Sequence, residues 1–297
     1  MENEKPLFSI VIPSYNYAHY IDRCIDSVLE QCYKNWEIII VDNYSTDNTE
    51  EVVKRYADKR IHFIKNHNNG IIAISRNKGI ELAKGEWICF LDADDWWKSD
   101  KLETCLPFLD DYDFIYHNVE VKKKEINCDG LRRFPFRKVK GENILSDLLI
   151  KGNCICNSTV VVRKKIVDQV GKLSEDKDLI AVEDFDYWLR VALVTTRFKC
   201  VDKVLGYYWV HETLSHSLRH VERERNLYCK YKNYIDDINY SKLINNLIFK
   251  EARFLHVARR YRQASKMYFT CLCKSLGIRI KFNAVLGIML CCLHIKR

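Results

Sequence analysis

Between Leu7 and Asp95 the chain alternates short, almost wholly apolar runs with stretches whose apolar residues recur at helical spacing, which leaves few architectures open. Leu7–Ile12 is apolar and is halted by Pro13. Ile21, Cys24, Ile25, Val28, Leu29 and Cys32 then mark one face of a helix, and Trp36–Val41 is a second apolar run ending at Asp42. Strand, helix and strand in that order imply parallel pairing through a right-handed crossover. The unit recurs. Thr49–Ala57 reads as a helix, Ile61–Ile64 as a strand, Ile72–Ala83 as a helix and Trp87–Leu91 as a fourth strand. The expected fold class is α/β, a Rossmann-like, mostly parallel sheet flanked by helices. Ligands of such sheets bind beyond the carboxyl ends of the strands, where Tyr15, Asp42 and Asp92 fall.

The fourth strand runs straight into Asp92-Ala93-Asp94-Asp95. Carboxylates at the end of a buried strand are costly to desolvate unless cations or hydrogen-bond donors compensate them. Oxygen-only ligands favour a hard divalent ion such as Mg²⁺ or Mn²⁺, and such ions bridge protein carboxylates to substrate phosphates.

Beyond Asp95 the rhythm changes. Phe114–Val121 reads as a strand, Lys122–Lys140 as a basic connection that forms a hairpin or a flap, Asn143–Ile150 as a short helix, Thr159–Arg163 as a strand and Lys164–Val170 as a helix. Glu183–Val194 is a further helix opened by Glu183-Asp184, and Phe198–Tyr208 a strand. From Val221 onward the pattern is helical. The last apolar stretch, Phe282–Ile295, has Arg279 and Lys281 before it and Lys296 and Arg297 after it. As a helix it would span about 21 Å, short of the roughly 30 Å hydrocarbon core, so it lies in a membrane interface or packs back on the protein. The expected organisation is a domain over 1–218, with halves 1–110 and 111–218, and a helical region over 219–297.

Composition narrows the partners. A net charge of +8 over 297 residues suits phosphates or acidic lipid headgroups, and no nucleic-acid recognition motif accompanies it. The 13 cysteines are odd in number and irregular in spacing, and Cys24, Cys32 and Cys89 are placed like small hydrophobes, which points to a reducing compartment. The acidic start, Met1-Glu2-Asn3-Glu4, leads into a strand with no signal-peptide pattern. A cytoplasmic location, peripheral at the inner face of the cytoplasmic membrane, is the expectation.

Five stretches in order carry a resemblance: Phe8-Ser9-Ile10-Val11-Ile12-Pro13-Ser14-Tyr15-Asn16, Val41-Asp42-Asn43-Tyr44-Ser45-Thr46-Asp47, Arg76-Asn77-Lys78-Gly79, Leu91-Asp92-Ala93-Asp94-Asp95 and Glu183-Asp184-Phe185-Asp186-Tyr187-Trp188. Over about residues 7–215 the chain resembles glycosyltransferase family 2, whose members have the GT-A fold and invert the anomeric centre. The resemblance implies that Pro13 and Tyr15 border the nucleotide base and that Asp42 accepts a hydrogen bond from it. Arg76 would face the diphosphate or donor sugar, Asp92 and the adjoining Ala93 the ribose or sugar, and Asp94 would ligate Mn²⁺ or Mg²⁺, with His211 near the metal. Asp184 holds the position of the general base. Glu183 is its neighbour, Asp95 supports the metal-binding turn or caps the next helix, Trp188 walls the acceptor site or belongs to the core, and Asp47 caps a helix.

The implied activity is metal-dependent transfer of one hexose or N-acetylhexosamine from a nucleotide sugar, in the first place a UDP-sugar, to a saccharide acceptor. A lipid-diphosphate-linked acceptor in O-antigen or capsule assembly fits the basic balance, with the C-terminal helix touching an anionic membrane. The Gln-x-x-Arg-Trp segment and spanning helices of the family's polymerising synthases do not follow His211, which favours single addition. A sugar-phosphate nucleotidyltransferase would need a glycine-rich phosphate loop, and Pro13-Ser14-Tyr15-Asn16 contains no glycine. A non-catalytic nucleotide-sugar or glycan-binding module would have no need of both Asp94 and Asp184.

Overall fold

Phe8–Ser14 (β1) and Trp36–Asp42 (β2) are buried along their whole length, as central strands covered on both faces must be. β1 pairs in parallel with β2 and with Trp87–Phe90 (β4), and β2 pairs in parallel with Ile61–Lys65 (β3). Ile21–Leu29 (α1), Thr49–Lys54 (α2) and Ile72–Leu82 (α3) connect them. The computed structural model describes residues 5–123, 134–140, 143–210, 218–274 and 277–295.

The sheet continues past β4 with Val161–Arg163 (β7), Phe114–Lys123 (β6), Phe198–Val210 (β8) and Trp96–Trp97 (β5), giving the eight-stranded order β3-β2-β1-β4-β7-β6-β8-β5. β7 is antiparallel to both β4 and β6, β6 runs parallel to β8, and β5 is antiparallel to β8. The result is a mixed α/β sheet whose first half is the parallel array expected from the alternation. Lys101–Cys105 (α4), Ile144–Lys151 (α5), Lys164–Val170 (α6) and Glu183–Val194 (α7) complete this half of the chain.

One expectation is corrected, two elements are added, and one expected segment lies largely outside the described residues. α1 stops at Leu29 instead of reaching Cys32, because buried Gln31 donates to the Ser27 and Lys98 carbonyls and accepts from the Leu102 amide. Those bonds draw the chain out of the helix and leave Cys32 exposed. The Trp-rich stretch after Asp95 contributes β5, which pairs with Gly206 and Tyr207, and α4, neither of which the periodicity predicted. Of the basic connection 122–140, residues 124–133 lie outside the described residues, and 134–140 carry no regular structure.

α3 lies hard against β1. A Cβ added at Gly79 would stand 2.4 Å from Val11 Cγ1, inside a buried strand. We therefore expect Gly79→Ala to destabilise the protein by about 1–3 kcal/mol, the usual cost of overpacking. Urea denaturation checks this, and an unchanged midpoint would mean that α3 sits further out.

The chain divides into two compact units, Met1–Leu148 with Asn153–Glu175 and Glu183–His211, and Leu149–Gly152 with Asp176–Val182 and Glu212–Arg297. The second contains Leu218–Lys230 (α8), Asp237–Val257 (α9), Tyr261–Leu272 (α10) and Ile278–Cys292 (α11). It has its own core of Ala252, Leu255, Ala264, Tyr268, Cys271, Ala284 and Cys291. Among the described residues, no helix is long and apolar enough to cross a membrane, and the cysteines are free.

Candidate active site

Arg76 sits on α3, 4% exposed, with its fork spread between two carboxylates. Nη2 donates to Asp92 Oδ1 at 2.8 Å and Nη1 to Glu183 Oε1 at 2.7 Å. Asp92 follows β4 and Glu183 opens α7, so a single guanidinium fastens the end of the central sheet to the start of a helix far along the chain. Burial alone would lower the proton affinity of Arg76, but the Asp92 and Glu183 charges outweigh it and its pKa is raised. Arg76 is thus held between two acids at the strand end where the resemblance has it facing the diphosphate or donor sugar.

Asp92 has further partners. Its Oδ1 accepts from Asn157 Nδ2 at 3.0 Å, and its N–H donates to Ser158 Oγ at 3.1 Å. Ser158 Oγ in turn donates to Asp95 Oδ2, and the Trp209 N–H donates to Asp95 Oδ1 at 2.8 Å. Asp95 is buried, and desolvation together with the charges of Asp94 and Asp92 pushes its carboxyl well above the usual range. It fastens β8 and the 157–159 turn to the end of β4. Ala93 is buried between these acids.

Asp94 is partly exposed. Its carbonyl accepts from Arg23 Nη2 at 2.9 Å, and the Arg23 guanidinium lies 3.6 Å over the Trp96 ring, which fixes the backbone from which the carboxylate projects. Among the described residues no cluster of three His, Cys, Asp or Glu is arranged around a cation, and His211 lies outside the described residues. The donor chemistry nevertheless fits a hard divalent ion, which uses one or two protein carboxylates and takes its other ligands from phosphates and water.

Asp184 adjoins Glu183 in the first turn of α7, and its Oδ1 accepts from the Phe185 N–H at 2.6 Å. Desolvation and the neighbouring Glu183 charge push its carboxyl up to about 7, against the opposing pull of Arg76, and the Asp92 charge adds to the rise. A carboxylate that titrates near neutrality, partly open to solvent, is matched to taking a proton from a hydroxyl. Glu183→Gln keeps an acceptor for Arg76 but deletes the adjacent charge. We expect it to move the acid limb of the pH–rate profile to lower pH, and an unmoved limb would remove Glu183 from the control of Asp184.

Asp186 is buried and paired with Arg190 Nε at 2.9 Å, one helical turn on. Trp188 has no exposed surface and packs edge-on against Phe90 and Phe114. It is core and cannot wall an acceptor cleft.

At the other strand ends, Asp42 is fully buried and accepts from both the N–H and the hydroxyl of Ser45. Its carboxylate holds the loop that follows β2, at the strand end where the resemblance implies contact with a base. Asn16 and Tyr44 adopt left-handed φ of 57° and 54°. The Asn16 N–H donates to Ser45 Oγ and its Oδ1 accepts from the Thr46 N–H, lacing the loops after β1 and β2 together. Asp47 accepts from the Ala18 and Thr49 N–H groups and from the Thr49 hydroxyl, so it meets the start of α2 and also ties that loop to residue 18. Tyr15 is 49% exposed beside this lacework, and Pro13 is buried in β1.

The structure therefore brings Arg76, Asp92, Asn157, Glu183 and Asp184 into one cluster. Sequence reasoning missed Asn157, Ser158 and Arg23. Asn157 and Ser158 occupy a single 3-10 turn between α5 and β7, with no motif around them, and Arg23 lies on the polar side of an ordinary amphipathic helix.

The model of Glycosyl transferase family 2 matches residues 9–171, more than half of the chain. The chain is 47% identical over 111 residues to the putative teichuronic acid biosynthesis glycosyltransferase TuaG of Bacillus subtilis, a match covering 37% of this chain and 44% of that protein, less than half of the relative's length. It is 40% identical over 187 residues to WfgD of Escherichia coli, named as a UDP-Glc:alpha-D-GlcNAc-diphosphoundecaprenol beta-1,3-glucosyltransferase, with 62% of this chain and 69% of that one covered. The crystal structure of S. aureus TarS 1-349 in complex with UDP-GlcNAc superposes with a TM-score of 0.63, covering 96% of this chain and 88% of that one, and at 17% identity it speaks to the fold alone. Taken with the parallel sheet and the acids at its strand ends, the family match establishes that the chain belongs to glycosyl transferase family 2 and is a glycosyltransferase of the GT-A fold.

Proposed function

We propose that the protein transfers a single hexose or N-acetylhexosamine from a UDP-sugar, with inversion, to a lipid-diphosphate-linked saccharide in the assembly of a bacterial surface polysaccharide. The observation that carries the catalytic part is the Asp184 carboxyl poised at about 7 beside the Arg76–Asp92–Glu183 cluster. Transfer forms a bond between the acceptor oxygen and the anomeric carbon as the bond to the diphosphate breaks. Asp184 takes the acceptor's proton as its oxygen attacks, and UDP leaves on the opposite side. Attack opposite the leaving group inverts the centre.

Asp92, held by Arg76 and Asn157, presents its carboxylate to the ribose or the donor sugar. Pro13 and Tyr15 border the base, and Asp42 acts through the loop it holds. Asp94, with His211, would hold Mn²⁺ or Mg²⁺, which when bound neutralises charge developing on the departing diphosphate. The acceptor class rests on the name of WfgD, and it agrees with the net charge of +8.

The test is release of the nucleoside diphosphate (UDP, GDP or dTDP) from UDP-glucose, UDP-GlcNAc, GDP-mannose and dTDP-glucose, each offered with a GlcNAc-diphosphate-lipid acceptor, with Mn²⁺, with Mg²⁺ and with EDTA. Acceptor-dependent release from a UDP-sugar that EDTA abolishes is the expected result. Release only from another nucleotide's sugar would overturn the donor assignment, and release unaffected by EDTA would overturn the metal.

A further inference from the structure

The last helix is built inside out for a helix of a water-soluble protein. The residues that α11 buries are small, Ala284, Gly287 and Cys291, and the fit is close enough that a Cβ at Gly287 would stand 2.5 Å from the ring of Tyr268. Six of its large apolar residues face the other way. Ile278, Phe282, Val285, Leu286, Met289 and Leu293 recur at spacings of three and four residues, with Val285 and Leu286 side by side, and so form one continuous stripe. They are exposed, Ile278 to 89%, Phe282 to 69%, Met289 to 57% and Leu293 to 65%. An apolar stripe of this length left to water marks an interaction surface.

Charge says what covers it. From Ala252 to Arg297 the sequence contains ten Lys and Arg and no Asp or Glu, so this 46-residue stretch carries more positive charge than the +8 net of the whole chain. Arg259, Arg260, Arg262 and Lys266 are exposed at the end of α9 and along α10. Arg262 and Lys266 also line a groove of about 660 Å³ whose other wall is Ile288, Cys291 and Cys292 of α11. Apolar side chains at interfacial depth ringed by cations that meet lipid phosphates are the chemistry of an amphipathic helix lying in an anionic bilayer surface. A second copy of this chain would bring like charges, those of Arg259, Arg260, Arg262 and Lys266, to the same interface.

We infer that the outward face of α11, with the basic residues of α9 and α10, is a docking surface for anionic phospholipid bilayers. The inference deepens the reading of a lipid-linked acceptor and names the surface by which the enzyme would reach that acceptor's membrane. It does not need the catalytic residues.

The experiment is sedimentation of the full chain with vesicles of phosphatidylglycerol and phosphatidylethanolamine, and with vesicles of phosphatidylcholine alone, alongside transfer to a water-soluble GlcNAc-diphosphate acceptor. Wild type is expected to pellet with the anionic vesicles at least tenfold more strongly than with the neutral ones, and to lose most of that preference at high salt. Phe282→Glu with Met289→Glu should reduce anionic-vesicle binding at least tenfold while circular dichroism and soluble-acceptor activity stay as in wild type. Arg259→Gln, Arg260→Gln and Arg262→Gln together should remove the anionic preference. Equal binding to both vesicle types, or none to either, overturns the inference. So does a stripe variant that turns a dimer into a monomer without loss of vesicle binding. A chain that transfers sugar to the soluble acceptor yet stays in the supernatant sinks the docking surface and leaves the transferase reading intact. One that pellets but never transfers does the reverse.

Discussion

Asp184→Asn is expected to lower kcat for sugar transfer by about 10²–10⁴-fold, the range that a positioned general base contributes, while the donor Kd stays within about twofold. Asparagine keeps the shape of the side chain and can still accept from the Phe185 N–H, so the helix start is preserved and only the proton acceptor is lost. Hydrolysis of the donor to water should fall with transfer, since water needs the same base. Unchanged kcat would remove Asp184 from the mechanism, and loss of donor binding would make it a binding residue.

The second large effect is on stability. Arg76→Met is expected to destabilise the protein by about 3–5 kcal/mol, because removing one member of a buried ion cluster leaves the others uncompensated. For a unit of this size that corresponds to a fall in Tm of roughly 6–20 °C. Glu183 is buried, and its Oε1 and Asp92 Oδ1 both lean on the same guanidinium. Losing that cation also removes what restrains the Asp184 pKa, so residual activity should need a higher pH than wild type. Arg76→Lys retains the charge but not the fork that spans two acids, and should recover only part of the loss. A Met variant as stable as wild type would mean that the two carboxylates find other partners.

Much of the parallel half of the fold was legible because its signals are local. β1 and β2 are mostly apolar and buried along their whole length, as strands covered on both faces tend to be, and the buried face of α1 recurs at helical spacing. The acids that follow β4 were legible for the same reason, as charge where a core strand should end. What could not be read is what depends on partners far apart in sequence. Arg76 is an unremarkable cation on a helix until its partners, 16 and 107 residues away, are known. The two bonds by which Ser45 holds the Asp42 carboxylate belong to a short polar loop whose geometry the sequence does not announce. β5 is two residues long and exists through its pairing with β8. The inverted α11 was half legible: its apolar run was plain, but which residues face inward was decided by the close approach of Gly287 to Tyr268.

The pH dependence of kcat/KM for wild-type transfer, measured from pH 5.5 to 8.5 at fixed metal and ionic strength, probes the poise of Asp184 most directly. Only the ionised carboxylate accepts a proton, and burial with the Glu183 charge holds its pKa at about 7. Activity should therefore rise about tenfold per pH unit below 7 and level off above it. A profile flat across the range, or an acid limb still in place in Asp184→Asn at its residual rate, would contradict the assignment of the base.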